Sequence, residues 1–204
     1  MNELIRHHNP SVRLRAALDI GTNPNVKHLD VLIERCAIEP DFGVRETLTW
    51  ALTRHSSSTV VPLLVEQVRS GGPQARSQAL HTLSKVKDRQ AWPVITPELV
   101  ADPDDEVARS AWRAAVVLVP EGRENELALM LSTQLGRGER EVQLSLSRAL
   151  IALGEVIEPV LRTARSPKAR AHAAATEQLL RDPDSGFAPA LDEAKRVTAL
   201  GTQS

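Results

Sequence analysis

The 204-residue chain carries 25 basic and 26 acidic side chains, a near-neutral balance that argues against a surface devoted to nucleic acid or anionic membrane. Aromatics make up 2% of it, with no Tyr, so the β-branched and aromatic runs that mark strands are missing, while Ala, Leu, Arg and Glu favour helices. A single cysteine, Cys36, precludes an internal disulfide, the opening residues lack a signal peptide's apolar core, and no run is long enough to span a bilayer, so the expectation is a soluble, cytoplasmic protein.

Along the chain, a small apolar anchor recurs four residues before a second small or apolar residue. The anchors are Val12, Val44, Ala75, Val107, Val142 and Ala169, followed by Ala16, Leu48, Ala79, Ala111, Leu146 and Ala173. The steps between anchors are 32, 31, 32, 35 and 27 residues. Self-similarity at 20 to 50 residues is the signature of stacked repeats. Between the anchors runs a second row: Asp30-Val31-Leu32, Pro62-Leu63-Leu64, Pro93-Val94-Ile95, Glu126-Leu127-Ala128, Pro159-Val160-Leu161 and Pro189-Ala190-Leu191. Two rows of one period predict two helices per repeat. Pro in the second row is expected in a first helical turn, where a missing N–H costs nothing.

Start signals precede most anchor helices: Asn9-Pro10-Ser11, Glu39-Pro40-Asp41, Gly71-Gly72-Pro73, Asp102-Pro103-Asp104-Asp105 and Ser166-Pro167. The fifth repeat replaces proline by Gly136-Arg137-Gly138. Only a stub of a first helix, Glu3 to His8, opens the first repeat. A polar segment from Phe187 to Leu200 reads as a capping helix, and residues 201–204 as a disordered tail.

The phrase Val61-Pro62-Leu63-Leu64-Val65-Glu66, followed by Asp102-Pro103-Asp104-Asp105-Glu106-Val107 and Ala111, closely resembles HEAT repeats, and the short repeat length looks most like the subtype first described in phycobilin lyases. The resemblance runs from about Asn9 to Lys195. It implies an all-α, right-handed solenoid of five to six helix pairs in a single domain spanning 1–200. It also implies that Arg13, Arg45, Arg76 and Arg170, each just after an anchor, form a structural ladder with acidic residues of neighbouring turns, for which Asp41 and Asp104 are candidates.

Catalytic chemistry is not evident. His7, His8, His28, His55, His81 and His172 show no paired helical spacing for a metal and read as surface residues, so no cofactor or metal is expected. Cys36, one turn after Leu32, reads as a core residue. The family also includes lyases, hydroxylases and DNA glycosylases. Trp50, Trp92 and Trp112 suit the last of these, but the neutral charge fits poorly with broad phosphate binding, and scarce aromatics fit poorly with a bilin pocket.

The resemblance places the anchor helices on the inner side of the solenoid. Counting two, six and ten residues beyond each anchor collects Trp50, Arg54, His81, Lys85, Arg109, Arg113 and Arg148 on one displayed face, offset only by Glu46. Trp and Arg dominate binding energy at interfaces. The leading expectation is therefore a non-catalytic scaffold that captures an acidic segment of another protein in this groove. The alternatives are a chromophore-lyase-like or glycosylase-like enzyme or accessory, nucleic-acid binding in the groove, or plain solvated helix faces with Trp50 packed between repeats.

Overall fold

The structure, a computed structural model, describes residues 2–183 and 186–201. These residues form helices with no strand among them, and the Cα trace divides into two compact units meeting at Ile95 and Thr96.

The first unit contains α1 (Asn2–Ile5), α2 (Pro10–Thr22), α3 (Leu29–Ile38), α4 (Phe42–Thr53), α5 (Ser57–Ser70) and α6 (Pro73–Val86), with 3-10 turns at Val26–His28 and Arg89–Val94. Here α2 packs on α4, and α6 packs on α3, α4 and α5. The second unit contains α7 (Pro97–Val100), α8 (Asp105–Leu118), α9 (Glu124–Ser132), α10 (Arg140–Ile151), α11 (Glu158–Leu161), α12 (Pro167–Arg181) and α13 (Phe187–Gly201), with a 3-10 turn at Gly154–Ile157. In it α8 packs on α10, α10 on α12, and α12 on α13. Of the segment expected to be a tail, Gly201 closes α13, and 202–204 lie outside the described residues.

The two sequence rows are the two helices of each pair, except that Pro93 and Val94 lie inside the 3-10 turn Arg89–Val94 and Ile95 caps it. All six anchor partners are buried, as are five of the six anchors, Val12 being half-buried. The start signals work as caps: Asn9 accepts from the Ser11 N–H, Asp41 from Val44, Asp104 from Glu106 and Val107, and Ser166 from Ala169. The final segment is a helix whose Phe187, Ala190 and Leu191 cover Ala175 of α12.

Two structural expectations need correction. Pro62 lies inside α5, not in its first turn. Its ring faces outward, and the residue whose carbonyl loses a partner, Ser58, is exposed, so water can satisfy it. Asp41 and Asp104 are committed as N-caps and do not carry the arginine ladder. Arg13 instead donates two buried hydrogen bonds to Glu39, Nε to Oε2 at 2.7 Å and Nη2 to Oε1 at 2.6 Å, and Arg35 joins at 2.6 Å.

The more general partner of the ladder is backbone. Arg13 donates to the carbonyls of His7 and His8, Arg45 to those of Glu39 and Pro40, Arg76 to Val68, and Arg170 to Arg165. Each guanidinium thus binds carbonyls that a helix end or turn leaves without an intrahelical partner. In the fifth repeat Gln143 does the same to Gly138. In the fourth the equivalent residue is Ala108, which has no donor. Arg137 of the following turn reaches the Asp102 carbonyl instead, pairs with Asp105 at 2.8 Å and lies 5.9 Å above the Trp112 ring.

Candidate functional site

In the second unit, α8 turns its Val107 and Ala111 inward, which leaves Arg109 and Arg113, one turn apart, on its displayed side. On α10, the burial of Val142 and Leu146 leaves Glu141, Leu144 and Arg148 displayed in the same way. These residues, with Ser145, line a depression of about 370 Å³. Three of the seven residues expected to bind a partner therefore share one concavity. Arg109 is half-buried and donates from Nη1 to Glu106 Oε1 at 2.7 Å. Arg113 donates from Nη2 to Ser110 Oγ at 3.0 Å. Arg148 is exposed and makes no ion pair among the described residues. Glu141 is the one carboxylate in the lining.

The remaining four lie in the first unit. Trp50 belongs to α4 and Arg54 is its C-cap, while His81 and Lys85 occupy consecutive turns of α6. His81 Nε2 lies 3.0 Å from Glu46 Oε1, so the one acid on this face sits beside the one histidine. Arg54 and Lys85 are exposed and make no ion pair among the described residues. Trp50 is 39% exposed, yet its position is fixed from behind. A Cβ on Gly21 of α2 would come within 2.2 Å of the indole. Only a glycine lets the ring come this close to that helix, so Trp50 is both packed against a neighbouring repeat and displayed to solvent.

Trp92 and Trp112 are different. Trp112 is fully buried in the second unit and donates its indole N–H to the Val100 carbonyl at 2.9 Å, and Trp92 is likewise buried. Neither presents a ring to a ligand. Cys36 is buried as expected, and burial pushes its thiol up to about 12.

His172 overturns the reading of the histidines as surface residues: it is wholly buried in α12. Its Nδ1 accepts the Gly136 N–H at 3.0 Å, so the ring hydrogen sits on Nε2, 3.0 Å from both the Gln143 carbonyl and Ser147 Oγ. Ser147 continues to Thr176 at 2.7 Å. Burial lowers the ring's proton affinity to about 4, although the Gln143 hydrogen bond opposes this. Gly136 is needed at the other end. Its φ is +84°, and a Cβ there would stand 2.9 Å from the Ala169 nitrogen.

The first unit holds a counterpart. Gln78 donates to Thr49 at 2.8 Å, Thr49 faces Thr82 at 3.3 Å, and Thr82 donates to the Gln78 carbonyl. Thr49 and Ser147 are both five residues past an anchor, Gln78 and His172 three past, and Thr82 and Thr176 seven past. A polar residue repeated at those offsets was the available sequence signal for both networks.

Among the described residues no group of three or more His, Cys, Asp or Glu side chains is placed to hold a metal ion. No helix among them is long and apolar enough to cross a membrane.

Residues 29–116, from the start of α3 into α8, match the family of HEAT repeats. Those residues are HEAT repeats. The same anchor pattern continues past the matched residues into α10 and α12, where Val142, Leu146, Ala169 and Ala173 are buried. Comparison with curated proteins finds no significant match. HEAT repeats generally mediate contacts between proteins.

Proposed function

We propose that this HEAT-repeat chain is a non-catalytic interaction module of the cytoplasm that holds an acidic segment of a partner protein against the arginines of α8 and α10. The observation that carries this reading is the meeting of Arg109, Arg113 and Arg148 around one depression, outnumbering its single carboxylate, Glu141. Guanidinium groups bind carboxylates through paired N–H donors and rank high among residues that dominate interfaces. Trp50, with Arg54, Lys85 and His81, forms a separate contact surface on the first unit. There a rigid, half-exposed indole offers apolar area at little entropic cost. The sealed environments of Trp92 and Trp112 favour binding at Trp50 over a lesion or chromophore pocket built on the other two rings.

The test is a triple charge reversal, Arg109→Glu, Arg113→Glu and Arg148→Glu, compared with the unaltered chain in affinity capture from native lysate and in titration with a Glu-rich peptide. The expected result is loss of both the captured partner and peptide binding, with a Tm lowered by no more than about 3 °C because none of the three builds the core. Undiminished partner and peptide binding by the triple variant would refute the assignment.

A further inference from the structure

We propose that the depression between α8 and α10 receives a phosphorylated serine or threonine of the partner segment, in preference to carboxylates. This rests on the acidic-segment reading above and narrows it to one chemistry. The lining carries three guanidiniums and one carboxylate, a net charge of +2. A phosphomonoester brings about −1.5 to −2 charges near neutral pH and three acceptor oxygens. A carboxylate brings one charge and two oxygens, enough for a single guanidinium fork.

The donors are also arranged from separate directions. Arg109 and Arg113 approach from consecutive turns of α8, and Arg148 approaches from α10. Two of the three are positioned in advance. Glu106, outside the lining, holds an Nη of Arg109 at 2.7 Å, and Ser110 holds an Nη of Arg113 at 3.0 Å. Prepositioned side chains lose less entropy when a ligand arrives. The Nε–H of Arg109 is buried with no acceptor, which leaves this guanidinium short of one hydrogen bond. Ser145 adds a hydroxyl to the same lining.

The charge layout also separates a single phosphate from a nucleic-acid backbone. Binding of a polyanion strengthens with each phosphate neutralised along a track of cations. The three arginines of this depression gather at one place with Glu141 among them, on a chain of net charge −1.

The experiment is an NMR titration of the full ¹⁵N-labelled chain at constant ionic strength, reading the amides of α8 and α10 and the arginine Nε–H signals. The probes are one short Gly-flanked peptide in three forms, with phosphoserine, Glu or Ser at its centre, together with a Glu-rich peptide and a single-stranded oligonucleotide. The phosphoserine form is expected to bind at least about tenfold more tightly than the Glu form. Arg148→Gln should remove that margin, and Arg162→Gln, an exposed arginine of the α11 end, should leave it intact. A margin below tenfold overturns the phosphate assignment, and the acidic-segment reading then stands if the Glu-rich peptide shifts the same signals. If no peptide moves the α8 and α10 signals, both readings fall. An oligonucleotide that binds more tightly per phosphate than the phosphoserine peptide overturns the proposal in favour of nucleic acid.

Discussion

His172 should make the second unit acid-labile, and replacing it by glutamine should remove that lability. The folded chain holds the imidazole neutral, with Nδ1 occupied as an acceptor by Gly136 and Nε2–H directed at Gln143 and Ser147. A proton added at Nδ1 would face the Gly136 N–H, so the fold takes it up only near pH 4, whereas a solvated histidine does so near about 6.5. The unfolded chain therefore binds more protons between those values, and stability falls as pH falls through that window. A displacement from about 6.5 to about 4, at about 1.4 kcal/mol per tenfold change, amounts to about 3 kcal/mol. The contribution is fully present above pH 6.5 and gone below 4.

Gln78 shows what a glutamine does three residues past an anchor: its amide donates to Thr49 as His172 donates towards Ser147. His172→Gln should thus keep the link to Ser147 but leave the Gly136 N–H without its acceptor, at a pH-independent cost of about 1–3 kcal/mol. Urea unfolding followed by helix circular dichroism at a series of pH values supplies the comparison. The variant should be less stable than the parent at neutral pH and should lose less stability between pH 6.5 and 4. His28 and His55, whose proton affinities burial also lowers, contribute to the slope in both proteins and cancel in the difference. An unchanged slope in His172→Gln would refute the assignment of the titrating group.

Two further expectations concern the first unit. Gly21→Ala should be destabilising although alanine is the better helix former, because the added methyl meets the Trp50 ring at 2.2 Å and overpacking of this kind costs about 1–3 kcal/mol; the Tm should fall and Trp50 emission should change, and a Tm at or above the parent's would contradict the packing. Burial alone would raise the Glu39 carboxyl, but hydrogen bonds from Arg13, Arg35 and the Asp41 N–H outweigh it and bring it down to about 2. Its stabilisation, about 3 kcal/mol, is full above pH 4.5 and disappears as pH drops towards 2. Glu39→Gln should cost about 3–5 kcal/mol at neutral pH by stranding Arg13 in the interior, and a loss under 1 kcal/mol in urea unfolding would show the network to be dispensable.

Much of the architecture was legible before any coordinates. Two interleaved rows of one period identify helix pairs, and the caps Asn9, Asp41, Asp104 and Ser166 mark where the anchor helices begin. The offsets two and six from an anchor put Arg109, Arg113 and Arg148 on one face, and the structure lines one depression with all three. Legibility stopped at side-chain contacts across helices. Arg13 is bonded to Glu39, not to Asp41 two residues further on, because Asp41 is already bound to the Val44 N–H. Trp112 carries no sequence mark of its burial and His172 only the polar residue repeated three past an anchor, yet both are fully buried.

From sequence alone came the helices, their pairing and the inward side of each, since a period of 3.6 residues fixes where a side chain points on its own helix. The tertiary structure decided which side chains meet. That depends on the stagger between helices and the path of each turn. These bring Gly21 under Trp50, Gly136 to His172 and Arg137 to the carbonyl that Ala108 cannot bind. They also gather the α8 and α10 arginines around one depression.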